Sequence, residues 1–339
     1  MPGHSDPPLV GVTMGDPAGI GPEIVLRAVQ TLEAGLRLVV LGDLSVLAET
    51  ARRLELPLRP VSWSVPQPYP PDPEVVPVIP LSRLPAQHRM PGRPTPAGGE
   101  ASYCYVETGV GLARDATIQA LVTAPISKAM WRAAGRDYPG HTELLASLTH
   151  SPDVRMMLAG SRLRVVLVTT HIPFTQVAAA LSSRRIVTTL ILTARHLSRF
   201  HGLSRPRLAV AGLNPHAGEG GAFGDEEDRL ISPAVRQAAE QGLSVAGPLP
   251  ADSIFVRAVS GEFDAVICQY HDQGLIPLKL LSWTDGVNVT IGLPIIRTSP
   301  DHGTAFDIAG RGTADPRSLQ AAIRLAGHMI ARTGARATL

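Results

Sequence analysis

Three histidines each close an apolar run of strand character: Arg164-Val-Val-Leu-Val-Thr-Thr-His171, Arg207-Leu-Ala-Val-Ala-Gly-Leu-Asn-Pro-His216 and Asp264-Ala-Val-Ile-Cys-Gln-Tyr-His271. Turn chemistry follows each one: Ile-Pro, Ala-Gly-Glu-Gly-Gly and Asp-Gln-Gly. In α/β folds the carboxyl ends of strands face the functional crevice. Imidazoles delivered there from three strands could converge on one metal ion and leave positions open for substrate. Such donors favour Zn²⁺, Co²⁺, Ni²⁺ or Fe²⁺ over Mg²⁺ on softness, without choosing among them. The intervals, 45 residues from 171 to 216 and 55 from 216 to 271, are too long for a local metal finger and suit separate strands. The alternative is three satisfied histidines of a core or crevice. Asp272, beside His271, is a candidate for orienting that ring or for acting as general base.

Other groups with chemical potential surround this set. Thr13-Met-Gly-Asp-Pro-Ala-Gly-Ile-Gly-Pro-Glu23 follows a first strand, and Gly15, Gly19 and Gly21 could admit a phosphate at a helix N-terminus or simply make a tight turn. The spacing is neither a G-x-G-x-x-G fingerprint nor a P-loop. In Pro139-Gly-His141-Thr142-Glu143, Thr142 or Glu143 could cap a helix, whereas His141 is not needed for capping and could bind an anion. Lys279, Asn288 and Arg297 combine two cations and an amide that could hold a phosphate or carboxylate; singly, each also reads as a solvated surface residue. Asp225–Glu227 reads as the acidic first turn of a helix. Ser299–Pro316, rich in Gly and small residues, offers backbone donors, hydroxyls and Asp307 to a polar ligand.

These residues need a scaffold, and the composition indicates a globular one. The 339 residues are 44% hydrophobic and 18% charged, enough for two domains or one large α/β domain with an extra lobe. A net charge of +2 with scattered basic residues, and 4% aromatics, argue against nucleic acid as partner. Two cysteines, Cys104 and Cys268, give no disulfide framework and suit a reducing cytoplasm. The polar, proline-rich opening of the chain is no charged-then-apolar leader and is expected to fray. Apolar stretches are too short for a membrane span.

Short β-branched runs alternate with helix-compatible segments, the pattern of parallel sheets with crossover helices. Strands are expected at Leu9–Thr13, Leu36–Leu41 and Ala120–Thr123, and helices at about Pro22–Thr31, Glu100–Arg114, Phe174–Leu181, Ser183–Phe200, Ile231–Gln241 and Pro316–Ala331. The proline-crowded Val61–Gly99 reads as extended connection with one short strand, Val75–Ile79.

Together the motifs resemble the 4-hydroxythreonine-4-phosphate dehydrogenase family of pyridoxal phosphate biosynthesis, from Gly11 to about Ile330. The resemblance is carried by the Met14–Glu23 turn, Thr123-Ala-Pro-Ile-Ser-Lys128, Tyr138–Glu143, Thr169–Pro173, Asn214–Glu219, Tyr270–Gly274 and Gly286–Pro294. Val61–Pro96 carries none of it. The opening turn and Asp301–Gly310 also resemble the wider isopropylmalate/isocitrate dehydrogenase-like superfamily, where the latter segment serves the dinucleotide without a Rossmann fingerprint.

The resemblance implies an α/β, two-domain isopropylmalate/isocitrate dehydrogenase-like fold with mixed, mostly parallel sheets and an interdomain cleft. The expected boundaries are 1–125 plus 285–339 for the dinucleotide side, and 126–284 for the histidines and dimer contacts. It implies NAD or NADP as cofactor and one divalent metal ion, Zn, Mg or Co, held by histidines from both subunits at the positions His171, His216 and His271. Substrate binding falls to His141, Thr142, Lys279, Asn288 and Arg297, and dinucleotide binding to His302, Gly303, Thr304, Ala305 and Asp307. Asp272 and Lys279 are the candidate bases. The implied protein is a cytoplasmic homodimer with its site at the interface, acting on a small phosphorylated hydroxy amino acid, without nucleic acid or membrane. Pro300 departs from the small aliphatic residue expected there. A dehydrogenase of 4-phospho-threonate or 4-phospho-erythronate is the near alternative. A metal-dependent sugar-phosphate aldolase or hydrolase, and a non-catalytic phosphometabolite-binding protein, are more distant ones.

Overall fold

The computed structural model describes residues 7–31 and 35–333; Met1–Asp6, where fraying is expected, lie outside the described residues. The chain divides into two compact units, Met1–Pro152 with Leu293–Leu339, and Asp153–Gly292. The sequence places these boundaries at 125/126 and 284/285. Residues 126–152 fall in the first unit through side-chain locking: the ring N–H of buried Trp131 donates to Ser102 Oγ at 2.8 Å.

The first unit is built on parallel strands. Across its sheet the order is β3 (Arg59–Ser62), β4 (Val75–Ser82), β2 (Arg37–Asp43), β1 (Leu9–Thr13), β5 (Ala120–Thr123) and β12 (Arg297–Pro300). Helices α1 (Gly21–Val29), α2 (Leu44–Arg53), α3 (Pro96–Arg114), α4 (Lys128–Ala133), α5 (His141–Leu148) and α11 (Arg317–Thr333) belong to it. Covered parallel strands are apolar on both faces, and Val10, Val12, Val39, Val40, Leu121 and Val122 are all buried. From β1 the chain crosses to β2 on one side and later returns to β5 on the other, a topological switch point where α/β folds place ligands. The Asp43 carboxylate fixes the end of β2: it accepts from Ser45 N (2.9 Å) and Val46 N (3.2 Å) to cap α2, and from Leu84 N at 2.7 Å. The proline-rich stretch holds more structure than expected, since β3 forms as an edge strand and β4 runs on to Ser82. An edge tolerates Pro60, whose missing N–H breaks no central ladder.

The second unit orders its strands β11 (Val287–Ile291), β6 (Arg155–Ala159), β7 (Arg164–Leu167), β10 (Ala265–Cys268), β8 (Arg207–Ala211) and β9 (Ser244–Leu249). β6 is antiparallel to both neighbours, while β7, β10, β8 and β9 run parallel. The helices are α6 (Val177–Ala180), α7 (Ser183–His201), α8 (Ser232–Glu240), α9 (Ala251–Val259) and α10 (His271–Leu281). The turn expected after His271 is instead α10. Gly274 lets this helix lie tight on the sheet, since a Cβ there would stand 3.1 Å from Leu167 Cδ2. Among the described residues no single helix is long and apolar enough to cross a membrane.

His196 on α7 is 7% exposed, and burial pushes its pKa from 6.5 down to about 3. The unfolded chain, whose histidine titrates near pH 6.5, then binds more protons than the folded one as pH falls from 6.5 toward 3. The stability His196 contributes is thus fully present above that window and lost through it. His196→Leu is expected to flatten the acid limb of unfolding by up to about 1.4 kcal/mol per pH unit, read from urea midpoints at stepped pH. An unchanged acid slope is the contrary result.

Candidate active site

In the first unit the β5–α4 connection and α5 assemble a cationic pocket wall. Arg297 opens β12, is 2% exposed, and donates from Nη2 to Thr123 Oγ1 at 2.6 Å. Burial lowers its pKa to about 9, opposed by the nearby charge of Glu143. His141 is the first residue of α5, its ring edge-on to Trp131 with centroids 5.6 Å apart. Burial, and then the charges of Arg297 and Lys128, hold its pKa well below the ordinary 6.5, so the imidazole is neutral at physiological pH. Its Nε2 is buried without a hydrogen-bond partner among the described residues. Gly140, with no side-chain cap, precedes the helix, so Thr142 and Glu143 lie within its first turn and neither is the cap. A neutral imidazole donor between cations suits an anionic ligand. Lys128, Trp131 and Thr123 belong to this wall although the sequence reading gives them no role.

The opening turn closes at the switch point against the chain itself. Asp16 N donates to Pro125 O at 2.9 Å, and a Cβ on Gly15, whose φ is +74°, would stand 2.3 Å from that oxygen. A Cβ on Gly19 would come 3.0 Å from Thr304 O, which accepts from Ile20 N at 2.9 Å. The close approach these glycines permit is therefore to neighbouring backbone rather than to a phosphate. Buried Glu23 lashes the following loop to α1, accepting from Gly312 N at 3.3 Å and Ala314 N at 3.0 Å. His302, Gly303 and Asp307 are exposed on this loop, Thr304 and Ala305 half-buried.

In the second unit β7, β10 and β8 are immediate neighbours, about 4.8 Å apart, and their carboxyl ends lead to His171, His271 and His216. The His171 and His271 rings lie 5.6 Å apart by centroid. His271 Nδ1 is 2.7 Å from Asp272 Oδ1, a contact that favours the tautomer with Nε2 unprotonated and ready to ligate. His216 opens a left-handed turn, His216–Gly220, with φ between 44° and 84°, and its ring lies 6.2 Å from Phe223. Three non-glycine residues in it, His216, Ala217 and Glu219, adopt a conformation costing about 1–2 kcal/mol each. Such strain clusters at functional sites. Among the described residues no group of three His, Cys, Asp or Glu is gathered closely enough to hold a metal. The structure thus pairs two of the imidazoles, while the left-handed turn carries His216 toward Phe223. The donor set still fits a borderline divalent cation: three imidazoles on adjacent strand ends, one oriented by a carboxylate.

Asp272 and Lys279 sit seven residues apart on α10, hence on one face of it, and Lys279 Nζ lies 5.5 Å from the Trp283 ring centroid. Asn288 on β11 has a buried Oδ1 without a hydrogen-bond partner among the described residues. The predicted substrate residues therefore divide between the units, His141, Thr142 and Arg297 in the first, Lys279 and Asn288 in the second.

Comparison with known proteins bears on this arrangement. The family model "Pyridoxal phosphate biosynthetic protein PdxA" matches residues 34–326. A 4-hydroxythreonine-4-phosphate dehydrogenase of Desulforapulum autotrophicum is 50% identical over 330 residues, 97% of each chain. A D-threonate 4-phosphate dehydrogenase of Salmonella typhimurium is 45% identical over 325 residues, 94% of this chain and 97% of that one. The crystal structure of 4-hydroxythreonine-4-phosphate dehydrogenase from Klebsiella pneumoniae superposes with a TM-score of 0.86 at 41% identity, covering 95% of this chain and 99% of that one. The chain belongs to the PdxA family and is an oxidoreductase, a dehydrogenase built on two largely parallel α/β units.

Proposed function

We propose that the chain oxidises the C3 hydroxyl of 4-phosphooxy-L-threonine with NAD⁺ or NADP⁺, in the synthesis of pyridoxine 5′-phosphate. The product is 2-amino-3-oxo-4-phosphooxybutanoate, a β-keto acid that loses CO₂ to give 3-amino-2-oxopropyl phosphate. The observation that carries this reading is the buried Arg297 guanidinium beside neutral His141, a setting made for a phosphorylated anion, in a chain 50% identical to a dehydrogenase of that name. His141, Thr142 and Arg297, with Lys279 and Asn288, grip the phosphate and carboxylate. His302, Gly303, Thr304, Ala305 and Asp307 receive the dinucleotide, which supplies the hydride acceptor when bound. His171, His216 and His271 would hold one divalent ion, Zn, Mg or Co, which supplies Lewis acidity at an alcohol and at the ketone formed from it. Asp272 is engaged with His271 at 2.7 Å and holds that ring in its ligating tautomer. Lys279, on the same face of α10, is the other candidate to take the hydroxyl proton.

We assign the assembly as a homodimer with its site at the interface, supported by the exposed apolar stripe Ile276, Leu280 and Trp283 on and just beyond α10. The compartment is the cytoplasm, consistent with two unpaired cysteines.

The second reading, oxidation of a 4-phospho-threonate or 4-phospho-erythronate, is favoured by the 45% identical D-threonate 4-phosphate dehydrogenase. Nicotinamide reduction, followed with both dinucleotides against all three phosphorylated acids on metal-analysed protein, separates the two. The expected result is a kcat/KM at least about tenfold higher for 4-phosphooxy-L-threonine, or about 1.4 kcal/mol of discrimination. Preference for an acid lacking the amino group moves the assignment to the second reading. No reduction with any of them reopens a metal-dependent aldolase or hydrolase.

A further inference from the structure

The proposed dinucleotide loop, residues 302–307, is shaped by two turns far from it in sequence. The first is the opening turn, residues 16–20. Ile20 N donates to Thr304 O at 2.9 Å, and a Cβ on Gly19 would stand 3.0 Å from that oxygen and 3.1 Å from Thr304 Cβ. The second, residues 90–93, is closed by Arg93 N donating to Met90 O at 3.1 Å. It lies in the proline-crowded stretch that reads from sequence as extended connection. Gly92 has a φ of +74°, and a Cβ there would stand 3.0 Å from Phe306 O. A Cβ on Gly310 would stand 2.9 Å from Pro91 Cβ, so the same turn also abuts the chain just beyond the loop. Gly92 N donates to Ala18 O at 2.8 Å and so joins the two turns to each other.

Asp16 braces this arrangement. Its carboxylate is fully buried, with Oδ1 accepting from Ala18 N at 2.9 Å, and its carbonyl accepts from Gly19 N at 3.0 Å. Oδ2 is buried without a hydrogen-bond partner among the described residues, a costly state for a carboxylate. The turn is thus held at some expense of stability. Between the two abutted carbonyls of the loop sits Ala305, with a φ of +40°. An alanine in the left-handed region is strained and persists only where its surroundings over-determine it. The contacts at Thr304 on one side and Phe306 on the other supply that constraint. Strain of this kind clusters at ligand clamps.

We infer that the turns at 16–20 and 90–93 together hold the dinucleotide loop in its binding shape, with Asp16, Gly19 and Gly92 as positioning residues. This rests on the dinucleotide reading above and needs no metal. A Cβ at either glycine displaces Thr304 or Phe306 by a few tenths of an ångström. Binding must then restore the loop, so affinity for the dinucleotide falls while turnover at saturation is kept.

The test titrates the full chain with NADH and NADPH by nicotinamide fluorescence, and measures kcat and each KM, with thermal melts on the same samples. Gly19→Ala, Gly92→Ala and Asp16→Ala are expected to weaken dinucleotide binding by about five- to thirtyfold and to raise its KM alike. The kcat at saturation and the KM of the phosphorylated substrate are expected to stay within about twofold of wild type. Asp16→Asn, which keeps the acceptor for Ala18 N, is expected to recover most of the affinity. Gly111→Ala, at a glycine with open space around it, is the control and leaves affinity unchanged. Should Gly92→Ala not fold, Gly19→Ala, at a backbone outside the left-handed region, carries the same expectation. Asp307→Ala tests the reading itself: unchanged affinity there, or a wild-type chain that binds neither dinucleotide, overturns the reading and the inference together. Weakened binding by Asp307→Ala beside wild-type affinity in the folded turn variants overturns the inference alone, as does a loss of kcat without a loss of affinity.

Discussion

Arg297→Met is expected to lower kcat/KM for the phosphorylated substrate by about a hundredfold to a thousandfold while leaving the melting temperature unchanged or raised. The guanidinium is 2% exposed, and burial depresses its pKa to about 9, a sign that the folded protein strains against the charge. Replacing a buried charge by an apolar side chain of similar size is often neutral or stabilising. Losing a charge-assisted, bidentate donor to phosphate or carboxylate removes about 3–4 kcal/mol from the bound transition state. Arg297→Lys is expected to recover little, since an ammonium cannot reproduce the planar fork. Steady-state kinetics and thermal melts on the same samples check both halves. A variant with wild-type kcat/KM removes Arg297 from the substrate site. A folded but weaker variant with full activity at saturating substrate assigns it to uniform binding.

His216→Ala, or removal of divalent cations by a chelator, is expected to reduce dinucleotide reduction by more than about a thousandfold. Without Lewis acidity at the hydroxyl the barrier rises by several kcal/mol, and each 1.4 kcal/mol is about tenfold in rate. His216 is exposed, so stability is expected to hold within about 0.5 kcal/mol at this position. Restoring Zn²⁺, Co²⁺ or Mg²⁺ to chelated wild type should return activity, and should not rescue His216→Ala. Undiminished turnover after rigorous chelation would sink the metal-dependent mechanism.

Much of this architecture is legible from residues alone, for identifiable reasons. Leu9–Thr13 and Ala120–Thr123 appear where expected, because covered parallel strands are short apolar runs bounded by turn signals. Helix α10 is hidden in the sequence, since Gly274 and Pro277 both read as breakers. Tertiary packing of Gly274 on the sheet overrides that local signal. The histidines announce themselves by their place at strand ends. Glu227 does not: the sequence reads it as an acidic first-turn residue, and only its hydrogen bonds to Leu213 and Asn214 reveal a buried brace. Thr123 is equally silent, because what it touches, Arg297, lies 174 residues away in sequence.

The three tryptophans differ sharply in their access to water. Trp63 and Trp131 are buried, whereas Trp283 is 78% exposed beside Lys279. A polar quencher such as iodide therefore reaches the Trp283 indole of a lone protomer, and the dimer contact proposed for its stripe would shield it. The shielded indoles of Trp63 and Trp131, the latter edge-on to His141, both emit in the blue. Red emission from Trp283 beside Lys279 and blue emission from the buried tryptophans can thus report association of protomers and changes around Trp131 without any label.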